Sequence, residues 1–192
     1  MNAMFPNPEP ARPKLKYAGI GAQVTPDDVL ASMEMIGMQL GSSWLLRSGY
    51  ADGADTAFWR GAHMMGDAYE MYLPWSGFNG APRNHSCFIV PDLDVSWWEM
   101  AAKYHPNWNA CSAGAKKLHA RNIAQVLGRH GPHKPDPVDM VVCWTPQGKA
   151  GGGTGQAIRI ALDHKIPVFD LAIEANKEAL ISFVAAKEAG MP

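Results

Sequence analysis

Two glycine-rich stretches carry the residues best suited to holding an anion. The first, Arg47-Ser48-Gly49-Tyr50-Ala51-Asp52-Gly53-Ala54-Asp55-Thr56, joins an apolar run to a helical pattern and puts glycines where a backbone must turn tightly and approach a ligand closely. The second, Gly151-Gly152-Gly153-Thr154-Gly155-Gln156, follows the apolar run Val138 to Trp144 and precedes a helix whose apolar face is Ala157, Ile158, Ala161 and Leu162. Free amides at a helix start attract negative charge, so either stretch can cradle a phosphate. Taken singly, each has a plainer reading: a tight turn in which Asp52 or Asp55 caps the helix, or a flexible linker. Two such turns at the carboxyl ends of parallel strands point instead to one crevice, and a linker has no need of a helix and a buried strand directly behind it.

A third group lies in the helical pattern Ser112 to Leu127. At 100° per residue, Asn122 falls among Ala115, Leu118 and Val126 on the face that should be apolar, and a buried Asn requires hydrogen-bond partners. Those partners are either a neighbouring loop backbone or, with Arg121 beside it, a phosphate or base. From Met100 to Pro135 there are six Lys or Arg residues (Lys103, Lys116, Lys117, Arg121, Arg129, Lys134), four histidines and no Asp or Glu. This local positive surface is hidden by a net charge of -1, which gives no global attraction to nucleic acid or an anionic membrane.

Other chemistries are disfavoured. His85, Cys87, His105, Cys111 and His119 have spacings that match no standard zinc pattern, so no metal site is expected. No GxSxG, GxxxxGK[ST] or HExxH occurs, and Gly19-Ile20-Gly21 lacks the third glycine of the dinucleotide fingerprint.

The elements that must position these residues alternate between short apolar runs and patterns of period 3.6, the signature of a parallel sheet with crossover helices. The expected fold class is α/β, a Rossmann-like three-layer sandwich with a mostly parallel sheet. Strands are expected at Leu15 to Ile20, Trp44 to Leu46, Tyr69 to Leu73, Val138 to Trp144 and Ile166 to Leu171. Helices are expected from Thr25 (as N-cap, with Pro26 at the first helical position) to Leu40, then at Ala54 to Met65, Ser112 to Leu127, Thr154 to His164 and Glu174 to Ala189. Residues 1–14 read as a flexible leader, residues 15–192 as a single nucleotide-binding domain, and about 75–107 as an irregular, aromatic-rich insertion rimming the site, with a helix near Val95 to Tyr104. With 192 residues of which 47% are hydrophobic, one sizeable core is the expectation. Three cysteines without a CxxC pair and the lack of an apolar run of about 20 residues argue for the cytoplasm and against a membrane.

In their order along the chain, Gly19-Ile20-Gly21, Ser48 to Thr56, Tyr72-Leu73-Pro74-Trp75, Ala120-Arg121-Asn122 and Gly152-Gly153-Thr154-Gly155 resemble the SLOG superfamily, specifically the Rossmann domain of DNA-processing protein A (DprA)-like proteins of bacteria and phages. The resemblance spans roughly Tyr17 to Leu171. It implies a pocket for a nucleotide, a nucleotide derivative or DNA phosphates, formed by Gly21, Ala22, Arg47, Ser48, Gly49, Tyr50, Asp52, Asp55, Arg121, Asn122, Thr145, Gly152, Gly153, Thr154, Gly155 and Gln156. A homodimer or higher homo-oligomer is a separate expectation. Two departures stand out: Tyr50 occupies a position where relatives usually have a second glycine, so its side chain either covers the ligand or partly fills the turn. Arg159 stands where the phosphoribohydrolase relatives have a catalytic Glu, and Arg can neither stabilise a sugar cation nor activate water.

The leading expectation is a binder of a small nucleotide-derived ligand, with no other cofactor, in which Arg121 and helix amides hold phosphate and Tyr50 or Trp75 lies against the base. The alternatives are single-stranded DNA binding through the basic stretch, and N-glycosidic hydrolysis with Asp52 or Asp55 as the catalytic carboxylate.

Overall fold

The computed structural model describes residues 15–191; the expected leader, residues 1–14, lies outside the described residues. The elements are β1 (Leu15–Gly21), α1 (Asp27–Leu40), β2 (Trp44–Ser48), α2 (Ala54–Met64), β3 (Tyr69–Tyr72), β4 (Phe88–Ile89), α3 (Val95–Tyr104), α4 (Ala113–Leu127), β5 (Met140–Trp144), α5 (Gly152–Asp163), β6 (Val168–Asp170) and α6 (Glu174–Glu188). The strands form one six-stranded sheet in the order β4-β3-β2-β1-β5-β6, and every pairing is parallel. The expected α/β Rossmann-like class is the one observed.

Helices cover both faces, which is why β5 is apolar throughout and β1 is apolar from Tyr17 onward rather than alternating. Tyr17, Leu46, Met71, Met140 and Val142 point to the layer of α1, α2 and α6, where they meet Met33, Phe58 and Leu180. Their neighbours Ala18, Ile20, Tyr72, Val141 and Cys143 point to α3, α4 and α5, among Trp97, Ile123, Leu127 and Ile160. The chain runs outward from β1 to β4 and then returns to the other side of β1 at β5. The order therefore reverses between β1 and β5, and the crevice beyond their carboxyl ends is where such sheets bind ligands.

Three local expectations are corrected. Pro26, not Thr25, is the N-cap of α1, because the Thr25 hydroxyl is spent on the Ala22 carbonyl (2.6 Å) in the preceding turn. The glycines of the second turn do not precede α5 but form its first turn, closed by the Gly155 amide on the Gly151 carbonyl (2.7 Å). Finally, the segment at about 75–107 is more than a rim. It contributes β4 to the sheet edge through Cys87 and Ile89 carbonyls that accept from Met71 and Leu73, and α3 to the core through Trp97, Ala101 and Tyr104. A two-residue strand has no room for a readable period.

Helices α1 and α2 cross with almost no side chain between them. A Cβ on Gly61 would stand 1.9 Å from the Glu34 carbonyl oxygen, and one on Gly37 2.4 Å from that of Phe58. Both obstacles are backbone, so no rotamer change relieves them. Gly61→Ala is expected to lower the unfolding free energy by about 1–3 kcal/mol or more. Gly114→Ala, on α4 where nothing lies within 4 Å, should raise it by up to about 1 kcal/mol. Urea denaturation of the two variants measures the contrast.

Candidate ligand site at the strand-order reversal

A cavity of about 560 Å³ opens at the reversal point. Its walls come from the β1 turn (Ile20 to Val24), Ala51 and Asp55 of the first glycine stretch, the face of α4 from Ala115 to Gln125, Thr145 to Lys149 after β5, and Gly151 to Thr154 with Ala157 of α5. Of the expected residues, Gly21, Ala22, Asp55, Arg121, Asn122, Thr145, Gly152, Gly153 and Thr154 line it.

Asp55 and Arg121 form its floor. Their side chains are 6% and 4% exposed, and Nη1 lies 3.8 Å from Oδ2. Burial pushes the Asp55 carboxyl up to about 6, against the opposing pull of the Arg121 guanidinium and of backbone amides at Ala51, Gly49 and Gly21. Burial also draws the Arg121 pKa down, and the Asp55 charge resists it. The Arg121 Nε is buried without a partner. Gly49 is required here because a Cβ would sit 1.4 Å from the Arg121 Nη1, so the guanidinium occupies the space that the glycine leaves.

From this pair a polar network crosses α4 to α5. The Gln125 amide is oriented so that its oxygen accepts from Gly49 N (2.8 Å) and from Arg121, while its nitrogen donates to Asn122 Oδ1 (3.0 Å). Asn122 Nδ2 donates to Gln156 Oε1 (3.1 Å) and the Gly153 carbonyl (3.3 Å). Gln156 Nε2 donates to the Ala101 carbonyl (3.0 Å), and His119 Nδ1 lies 2.9 Å from Gln156 Oε1. Burial lowers the His119 pKa, leaving a neutral ring at pH 7. Thr145 is anchored by Asp170 through its amide (3.1 Å) and its hydroxyl.

Several expected site residues have other work. Arg47, expected to face the ligand, is buried in ion pairs with Glu70 (2.8 Å) and Asp136 (2.7 Å); its sheet position aims it away from the crevice. Ser48 donates to the Gly19 carbonyl (2.6 Å). Tyr50 has a φ of 58°, in the left-handed region that favours glycine. Its ring neither covers the cavity nor fills the turn, but packs edge-on against Trp59 and Phe88, both at 5.0 Å. Asp52 is exposed and accepts from Asn79 Nδ2 (3.3 Å). Trp75, 40% exposed, rests against Phe78 (5.3 Å). Gly155 and Gln156 lie behind the cavity wall, where Gly155 packs on Ala150 and Gln156 holds the network. Arg159 donates to the Tyr104 carbonyl (2.7 Å).

Sequence reasoning missed Gln23, Leu118, His119, Gln125 and Lys149 as wall residues. For His119 and Gln125 a signal existed, since they sit on the same helix as Arg121 and Asn122 at spacings of three and four residues (119 to 122, and 121 or 122 to 125).

Removing one partner of the buried pair strands the other charge. Arg121→Met is expected to cost about 3–5 kcal/mol at pH 7, and the double variant Asp55→Asn with Arg121→Met to recover at least about 1 kcal/mol of that. The Asp55 pKa is raised on folding from 3.8 to about 6. The folded chain therefore holds more protons than the unfolded chain in that window, and stability falls as pH rises through it. Relative to Asp55→Asn, the wild type should lose up to about 3 kcal/mol between about pH 4 and 7, read from denaturation curves of both.

No protein-family model and no curated protein matches the sequence. Among solved structures, the chain is similar to the Moco carrier protein of Chlamydomonas rheinhardtii, with 19% identity, a TM-score of 0.51, and coverage of 91% of this chain and 86% of that one. It is also similar to DNA processing protein A from Helicobacter pylori, a single-stranded DNA binder, with 18% identity and a TM-score of 0.48 over 81% of this chain. The chain spans 64% of the length of the latter. The Rossmann-like fold implied by the motif resemblance is thus the one observed, and it is shared with the Moco carrier protein.

Proposed function

We propose that this protein binds a phosphate-bearing nucleotide or nucleotide-derived small molecule in the cavity between β1 and β5. The start of α5 carries the reading. Gly152, Gly153 and Thr154, whose amides precede the first helical bond, line the cavity, and the Cβ positions of Gly151 and Gly152 face open space. Phosphate oxygens can approach these amides without meeting a side chain, and the helix dipole favours them. Lys149 stands on the same wall. The cavity volume suits a ligand of nucleotide size.

The neutral floor shapes the specificity. Arg121 is already balanced by Asp55, so the phosphate charge is met by α5 and Lys149, while Gln23, exposed on the β1 turn, offers a neutral hydrogen bond to a base or sugar. The likeness in fold to a carrier protein is in keeping with capture of a small ligand. Single-stranded DNA binding draws on only part of the basic stretch. Lys103 is engaged by Asp163 and Tyr104, Lys116 lies over the Trp108 ring and Arg121 is buried, which leaves Lys117, Arg129 and Lys134 exposed for a strand.

One observation favours a second reading, an N-glycosidic hydrolase: the Asp55 carboxyl in the cavity wall holds its proton up to about pH 6, a value suited to a general acid. Asp52 lies outside the cavity. Base release by the wild type that is lost in Asp55→Asn would establish that reading; unchanged release would end it.

Calorimetry with a panel of mononucleotides and cyclic nucleotides tests the proposal, and the absence of binding across the panel would sink it. Gly151→Asp, at the N-cap of α5 where φ is -132° and the Cβ faces open space, puts a carboxylate beside the amides without straining the backbone. It should weaken binding about tenfold or more, because it repels the phosphate and competes for those amides. A cyclic phosphodiester does not titrate between about pH 5 and 8, so its affinity should fall as Asp55 ionises near about 6, and Asp55→Asn should flatten that fall. A salt-dependent mobility shift with oligonucleotide would instead indicate strand binding.

A further inference from the structure

His105, Cys111 and His119 are scattered over sequence spacings that fit no standard ligand motif, yet the fold gathers them. His105 caps the end of α3, Cys111 ends the short 3-10 turn Trp108–Ala110, and His119 lies two turns into α4. One ligand atom from each lies within 4.8 Å of the others, and all three residues are half-buried. The Cys111 sulfur is 3.7 and 3.8 Å from the two His105 ring nitrogens, and the imidazole centroids of His105 and His119 are 4.2 Å apart. Around a tetrahedral zinc ion, sulfur and nitrogen ligands stand about 3.3–3.6 Å from one another, given bond lengths of about 2.3 and 2.0–2.1 Å. To reach that geometry the ligand atoms close in by about 1 Å, and His105 exchanges the hydrogen bond that its Nδ1 accepts from the Asn107 amide (3.2 Å) for the metal.

We propose that His105, Cys111 and His119 form a binding site for a zinc-class transition-metal ion. The ligand chemistry, two imidazoles and one thiolate, is that of borderline cations such as Zn2+.

The surroundings of His119 supply a second, independent observation. Gln156 is fully buried, and its Nε2 donates to the Ala101 carbonyl, which fixes Oε1 as the end facing His119. Because Oε1 is an acceptor only, His119 must donate to it from Nδ1. The neutral ring then presents a bare Nε2. A metal-ligating histidine is normally held in this way, with its second nitrogen donating to an oxygen that fixes tautomer and ring angle. His85 and Cys87 belong elsewhere: the His85 ring stacks on Tyr69 and its Nδ1 accepts from the Cys87 backbone amide (3.3 Å). Arg121 and Arg159 both act electrostatically on His119 and oppose a further cation, so the charge of a Cys111 thiolate is needed to offset the ion. Three protein ligands leave a fourth coordination position, the arrangement of zinc sites that hold an exchangeable water. The site does not depend on the identity of the cavity ligand, although His119 borders both.

The test uses the full, untagged chain stripped of metal. Titration with Zn2+ against a chromophoric chelator should show one tight equivalent, and Co2+ should give the absorption of a tetrahedral site with a thiolate-to-cobalt charge-transfer band. Cys111→Ser should abolish that band, and both Cys111→Ser and His105→Ala should weaken Zn2+ by about 100-fold or more, the upper end of what losing even an outer partner costs. Zn2+ should raise the Tm of the wild type and of the control Cys87→Ser, but not of Cys111→Ser. Far-UV circular dichroism of the metal-free variants verifies that they fold. Uptake well below one equivalent, or uptake unchanged in the folded Cys111→Ser and His105→Ala variants, would overturn the proposal and leave the cluster as a thiol-imidazole hydrogen bond.

Discussion

A carboxylate and a guanidinium taken out of water beneath the carboxyl ends of β1 and β2 are tolerable only as a pair, and much of the crevice is arranged to keep them one. Asp55 comes from the first turn of α2 and Arg121 from the middle of α4, on opposite layers of the sandwich. The pair therefore fastens the two helical layers across the end of the sheet. Gly49 must lack a side chain for Arg121 to pass, and the amides at Gly21, Gly49 and Ala51 gather around Asp55. A glycine stretch that reads as a phosphate loop is in large part the housing of an internal ion pair.

That assignment divides the labour within the cavity. With the floor close to neutral, attraction for an anion falls to the α5 amides and Lys149 on the facing wall. The amides are oriented by a chain of buried amide side chains, Gln125, Asn122 and Gln156, each spending its donor and acceptor ends on the next. Such a network is costly to leave half satisfied and has few alternative arrangements, so it holds α4 and α5 in one register. Its far end sets the tautomer of His119, which links the geometry of the ligand cavity to the histidine and cysteine cluster on the outer edge of α4.

The segment between β3 and α4 shows why irregular sequence can still be structural. Its apolar residues Trp97, Ala101 and Tyr104 complete the core against α4 and α5, and its two-residue strand covers the edge of β3. The strand is too short to produce a periodic pattern, whereas α3 stands at its expected position, Val95 to Tyr104, and only its place in the core was not legible. Tyr50 is a related case. Its residue type announces aromatic packing, but the side on which it packs follows from a left-handed backbone at that position, set by the turn and not by the amino acid.

What the sequence alone determined was the architecture and the general place of the site. Alternating apolar runs and helical periods specify a parallel sheet clothed on both faces, and two glycine stretches after strands specify which end of it is open. Those are local properties, written in residues a few positions apart. Only the tertiary structure decided which polar side chains meet. Arg47 pairs with Glu70 and Asp136, Arg121 turns inward to Asp55, and His105, Cys111 and His119 converge from three separate elements. A charged or ligating side chain takes its partner from whatever the packing of distant elements brings within about 4 Å, and no spacing along the chain records that distance.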